Sequence, residues 1–146
     1  MEFVREIGGV RWFNDSIGSS PSRTIAGLGC FDQKIVLIAG GYDKQIPFDT
    51  LGEEIARRVK LLILTGDTAH KIADSVINAP SFDPETLPIH IVGDLAEAVS
   101  LAHSQAVDGD VVVLSPACAA FDRFKNFMER GNHFKSLVSK LEEHVL

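Results

Sequence analysis

At 146 residues the chain is long enough for one domain with a single core, burying about two-thirds of its unfolded surface. It is 45% hydrophobic and 23% charged, ordinary for a globular protein, and no apolar run approaches the roughly 18 residues a membrane span needs. A net charge of −6 without a stripe of Lys and Arg speaks against a nucleic-acid partner. The opening MEFVREIGG has neither a basic region ahead of an apolar core nor a cleavage site, so the expected location is the cytoplasm.

Residues 2–9 read as an edge strand ending in a Gly8-Gly9 turn, and residues 10–13 (VRWF) as a short strand. Ser20 suits an N-cap and Pro21 a first helical position, predicting a helix over 21–28 that Gly29 ends. Residues 34–39 (KIVLIA) form a continuous apolar run before Gly40-Gly41, the pattern of a strand buried on both faces. Thr50 and Glu53 have capping-box spacing ahead of a helix to about Arg58, and 59–64 (VKLLIL) is the next buried strand. A helix over 69–78, a proline-rich loop over 80–88 and a strand over 89–92 follow. Asp94 with Glu97 repeats the capping box before a helix over 95–106. After the strand 110–114 (DVVVL), a turn of small residues, 115–120, opens into an aromatic helix, with a last helix over about 132–143.

Strands alternating with helices predict a mostly parallel α/β sheet of about six strands, covered on both faces. The segments 14–16, 40–44, 65–68, 93–94 and 115–120 then share one sheet edge, where open α/β sheets hold ligands. A helix N-terminus there favours an anion, which suggests an acidic small molecule. Gly40-Gly41-x-Asp43-Lys44 is either a glycine-rich turn with an exposed Asp/Lys pair or a backbone approach that offers Lys44 to a carboxylate or phosphate. It is not a phosphate loop, because GxxxxGK[ST] is absent from the chain. Ser16, Ser19, Ser20 and Ser22 surround a helix start, where capping explains Ser20. Phe121, Phe124, Phe127, Met128 and Phe134 read as core. Cys30 and Cys118 read as buried structural thiols, and the histidines 70, 90, 103, 133 and 144 have no metal spacing. Asp15, Asp43, Asp67 and Asp94 are the acids that a Mg²⁺ site at this edge would need, although capping accounts for Asp94.

The stretch LSPACAAFDRFKNFMERG, preceded in order by NDSIGSSPSRT and GGYDKQIPF, resembles the carboxyl-terminal domain of the D-glutamate-adding members of the Mur ligase family, over nearly the entire chain. The resemblance implies a Rossmann-like domain that receives the incoming amino acid, with a UDP-substrate domain and a central ATPase domain elsewhere. It further implies an ADP-forming ligase of peptidoglycan precursor synthesis, in which the D-glutamate amine attacks an acyl phosphate of UDP-N-acetylmuramoyl-L-alanine. ATP and Mg²⁺ would be held outside this domain, and this domain alone would have no ligase activity and no catalytic residue. The resemblance assigns Lys44 to the side-chain carboxylate of D-glutamate and places Ser19 where the family usually has threonine. Ser20, Ala120, Phe121 and Phe127 line the same substrate site, Phe127 through its backbone, and Asp15 faces the nucleotide ribose on domain closure. Ile17 replaces a usual lysine and Ala120 a frequent serine, a loss of about 1–3 kcal/mol of carboxylate binding unless a neighbour such as Ser20 compensates. The competing reading is a non-enzymatic Rossmann-like module in which Asp15 and Gly40-Gly41 hold a nucleotide or small anion, although no GxGxxG follows a strand.

Overall fold

The computed structural model describes residues 1–121 and 123–143. Asp122, within the motif quoted above, and His144 lie outside the described residues. Six strands form one sheet: β1 (Glu2–Ile7), β2 (Val10–Asn14), β3 (Ile35–Ala39), β4 (Val59–Leu64), β5 (Ile89–Ile91) and β6 (Val111–Leu114). Their spatial order is β1-β2-β6-β3-β4-β5, with only β1 antiparallel to its neighbour. Gly8 and Gly9, both at positive φ, turn β1 into β2. The expected six-stranded, mostly parallel sheet is therefore present.

Among the described residues, five helices cover the two faces: α1 (Pro21–Leu28), α2 (Asp49–Arg58), α3 (Ala69–Ile77), α4 (Leu95–Gln105) and α5 (Phe127–Ser139). Alternation along each buried strand decides which face a residue serves. Ile35, Leu37 and Ala39 of β3, with Val111 and Val113 of β6, pack under α1, α2 and α3 together with Leu28, Leu51, Ile55, Ile72 and Val76. Val36, Ile38, Val112 and Leu114 pack on the other side with Leu95, Val99, Phe134 and Val138 of α4 and α5. Burial on both faces is why these strands read as unbroken apolar runs.

Helix starts follow the predicted chemistry in two cases. Ser20 Oγ accepts from the Arg23 N–H, and Asp94 Oδ1 accepts from the Glu97 N–H at 2.8 Å while Glu97 reaches back to the Gly93 N–H. The other expected capping box, Thr50 with Glu53, is not formed. Buried Phe48 pins the chain early, and its carbonyl accepts from the Gly52 N–H, so α2 starts at Asp49 with Thr50 already inside it. Glu53 instead accepts from both the N–H and the hydroxyl of Ser81, tethering the proline-rich loop.

The end of the chain also differs from the sequence reading. The small-residue turn does not open into a helix; residues 121 and 123–126 are turns and bends, and one helix runs from Phe127 to Ser139, capped by Asn126 through the Glu129 N–H. Asn132 is therefore inside α5, and Glu143 lies beyond it. Of the five residues read as core, Phe134 is buried and Phe124 half-buried, whereas Phe121, Phe127 and Met128 are exposed. Cys30 is exposed as well, contrary to expectation, while Cys118 is buried.

Candidate functional site

The loops leaving β2, β3, β4, β5 and β6 lie at one edge of the sheet, because these strands run parallel. Backbone hydrogen bonds lace them together. Ser115 N–H donates to Ile38, Gly40 to Pro116, Tyr42 to Ala119, Thr68 to Gly41, and Ala117 to Gly18. Gly40 is required where β3 ends: its φ is +108°, and a Cβ there would stand 2.0 Å from the Thr65 carbonyl oxygen. Ala117 has φ +62° without being glycine, so the 115–120 turn is held in a strained conformation by its neighbours.

Two buried polar networks stiffen this edge. Beneath the β2 exit, Thr24 Oγ1 lies 2.9 Å from Ser115 Oγ, which donates to Asp15 Oδ2 at 2.7 Å. Asp15 is thus buried and engaged inside the fold, and it lines a different hollow from the one Lys44 lines. The second network is centred on Arg130 of α5. Its Nε donates to Ser16 Oγ, Nη1 to the Cys118 carbonyl, and Nη2 to the Ser16 carbonyl and to Ser19 Oγ, at 2.9, 2.8, 2.7 and 3.3 Å. Ser16 Oγ in turn donates to the Phe127 carbonyl at 2.7 Å. One guanidinium therefore joins the β2 exit, the β6 exit and α5.

Ser19 and Lys44, separated by the whole of α1 and β3, line one cavity with Tyr42, Ile46, Phe48, Ala117, Cys118 and Ala119. Its volume is about 10 Å³, room for about one water. Lys44 is exposed at the mouth, with Nζ 5.6 Å from the centre of the Phe121 ring. Phe121 also meets Tyr42 edge-on at 6.0 Å between ring centres. Lys44 does not pair with Asp43. That carboxylate takes the Lys71 ammonium, which with the Gln45 N–H holds its pKa below the ordinary value.

The remaining candidates separate from this pair. Ser20 serves as the α1 cap, and Ala120 is buried, its carbonyl accepting from the Arg123 and Phe124 N–H groups. Phe127 is exposed and lines a different hollow with Ile17, Met1 and Met128. The four aspartates do not gather into a metal site: Asp15 meets Ser115, Asp43 meets Lys71 and Asp94 caps α4, and no group of three acid, His or Cys side chains with metal-binding geometry occurs among the described residues. Sequence reasoning missed Arg130, Tyr42 and Thr68. Arg130 stood inside the quoted motif, but nothing in its spacing marked it as buried. The hydroxyl of Thr68, which accepts from the Gly41 N–H and lies 3.2 Å from Cys118 Sγ, resembled any other turn threonine.

The fold and the loop-built edge define an α/β domain of Rossmann-like class with a small cavity, rimmed by a lysine, at the carboxyl ends of its strands. The family model described as Mur ligase, glutamate ligase domain matches residues 1–118, and the chain belongs to that family. It is 52% identical over 141 residues to UDP-N-acetylmuramoylalanine–D-glutamate ligase of Clostridium tetani and 54% identical over 144 residues to the ligase of the same name from Acetivibrio thermocellus. Each match covers 97% of this chain but 31% of the relative, so the chain spans about a third of the length of the curated relatives it matches. Among solved structures, a murein peptide ligase from Psychrobacter arcticus superposes with a TM-score of 0.63 at 12% identity, over 99% of this chain and 30% of that one. A UDP-N-acetylmuramoyl-L-alanyl-D-glutamate–2,6-diaminopimelate ligase gives 0.57 at 20% identity, over 78% and 25%. At those identities the two structures support the fold.

Proposed function

We propose that this chain is the carboxyl-terminal, amino-acid-receiving domain of an ADP-forming ligase that joins D-glutamate to UDP-N-acetylmuramoyl-L-alanine in the cytoplasm. The observation that carries the reading is the convergence of Ser19 and Lys44 on one cavity at the carboxyl ends of β2 and β3. An ammonium and a hydroxyl on a common wall suit a carboxylate, the group that distinguishes a glutamate side chain. The names of the curated relatives, D-glutamate ligases, favour D-glutamate as that amino acid.

Within that reading each side chain has a task. Arg130 donates to Ser19 Oγ, and the Ser19 hydroxyl donates in turn to the Ser16 carbonyl at 3.4 Å, a long contact that an incoming carboxylate oxygen would replace. Lys44, lining the same cavity, supplies the opposite charge. Phe121, at the mouth beside Lys44, is the further residue on the substrate side, whereas Ser20, Ala120, Phe127 and Asp15 are engaged elsewhere in the domain and could reach substrate or nucleotide only if the loops rearrange when the ligase closes. The domain holds the amino acid with its amine presented outward, toward a carboxylate activated elsewhere in the ligase. ATP and Mg²⁺ do not fit the residues present: the sequence has no GxxxxGK[ST], and no metal-ligating cluster occurs among the described residues. Both are assigned to the remaining two-thirds of the ligase.

The test is a titration of the isotopically labelled chain with D-glutamate, with L-glutamate as control, followed by amide NMR. Shifts at Ser19, Lys44 and 121–127 that answer only to the D-enantiomer are expected. Equal responses to both enantiomers would overturn the assignment.

A further inference from the structure

The cavity between Ser19 and Lys44 has room for about one water, far less than an amino acid requires, so the pocket wall moves when a ligand enters. The movable parts of that wall are on its rim. Tyr42, Lys44 and Phe121 are all exposed, whereas Phe48, Ala117, Cys118 and Ala119 behind them are buried. Lys44 carries a long flexible side chain whose entropy would be lost on binding a carboxylate.

The rim is not disordered in arrangement. Lys44 Nζ lies within cation–π range of the Phe121 ring, and Phe121 is braced edge-on by Tyr42. The backbone of Tyr42 is held, because its N–H donates to the Ala119 carbonyl across the bridge that joins the β3 and β6 exits, and this sets where its ring starts. The chain of contacts thus runs from the paired backbone through Tyr42 to Phe121 and on to the ammonium. A ring contacts one side of the ammonium and leaves its remaining N–H donors open to an incoming oxygen.

We propose that Phe121, braced by Tyr42, is a positioning residue: its ring face holds the Lys44 ammonium at the pocket mouth and so lowers the ordering cost of capturing the substrate carboxylate. The proposal rests on Lys44 being the carboxylate-binding cation. Phe121 acts through Lys44, so its loss weakens ground-state capture and leaves the reaction step alone. A tryptophan, whose face binds cations more strongly, substitutes for it, whereas a leucine of similar bulk does not.

Three measurements test this. In the chain itself, the Lys44 side-chain methylene protons next to the ammonium are expected upfield of free lysine, and Phe121→Leu returns them to the free value; absence of any upfield shift overturns the contact. In the complete ligase, Phe121→Leu is expected to raise the KM for D-glutamate about two- to fivefold with kcat within about twofold, while Phe121→Trp keeps the KM at or below that of the unmodified ligase. Equal KM values for the Leu and Trp variants, or an effect on kcat alone, overturn the proposal. Finally, Phe121→Leu in a Lys44→Ala background is expected to add nothing. If Lys44→Ala itself leaves the KM unchanged, the substrate reading of Lys44 fails; if Lys44→Ala raises the KM and Phe121→Leu does not, only the positioning role fails.

Discussion

Arg130 grips Ser16 by both of its oxygens, with Nη2 2.7 Å from the carbonyl and Nε 2.9 Å from Oγ. The residues lie on α5 and on the β2 exit, and the same guanidinium also takes the Cys118 carbonyl. Because the head group is buried, each of these acceptors depends on it in place of water.

Arg130→Met is therefore expected to cost about 2–4 kcal/mol of stability, since it strands several buried acceptors at once. Arg130→Lys recovers less than half, because a single ammonium cannot reproduce the guanidinium fork. Urea midpoints of the three proteins measure this; a loss below about 0.5 kcal/mol for the Met variant would mean water replaces the guanidinium.

Ala117 is the one residue in the 115–120 turn for which glycine should improve the protein. A non-glycine residue in left-handed geometry costs roughly 1–2 kcal/mol, and glycine returns about 0.5–1 of that as chain entropy. Ala117→Gly is expected to stabilise by about 0.5–1 kcal/mol, and Ala117→Val, branched at Cβ and buried, to destabilise by more than about 2. Thermal unfolding of the pair decides it; a less stable glycine variant would show that the strain is relieved elsewhere.

Lys44→Ala in the complete ligase is expected to raise the KM for D-glutamate at least about tenfold, equivalent to about 1.4 kcal/mol of lost binding. An unchanged value would take Lys44 out of the substrate site.

Glu53 links acidity to the proline-rich loop. Its pKa is lowered by the Ser81 hydroxyl first and by the Ser81 N–H second. A carboxyl with a depressed folded pKa adds stability that is fully present above its ordinary value of 4.5 and is lost as pH falls through the folded value. Glu53→Gln should therefore flatten the fall in stability below about pH 4.5, with the two proteins converging at the acid end. Parallel curves, read from urea midpoints across that range, would exclude the linkage.

Much of the fold was legible because its causes are local or periodic. The apolar runs of β3, β4 and β6 record burial on both faces, and the caps at Ser20 and Asp94 act within three residues of themselves. The same rule failed at Thr50 and Glu53, where buried Phe48 set the helix start and Ser81, far along the chain, claimed the carboxylate. It failed again after Ala120, since aromatic spacing does not distinguish a core helix from an exposed loop whose rings meet a lysine and a tyrosine.

By itself, then, the sequence determined the alternation of strands and helices, the edge at which the loops gather, and the family, because each follows from residue patterns carried along the chain. Only the tertiary structure decided which of those loop residues meet. It put Ser19 with Lys44, gave Asp43 to Lys71, turned Asp15 inward to Ser115, and buried Arg130 as the tie between three elements. Such pairings depend on strand order and on competition among partners distant in sequence, and neither is written in the spacing of the residues that compete.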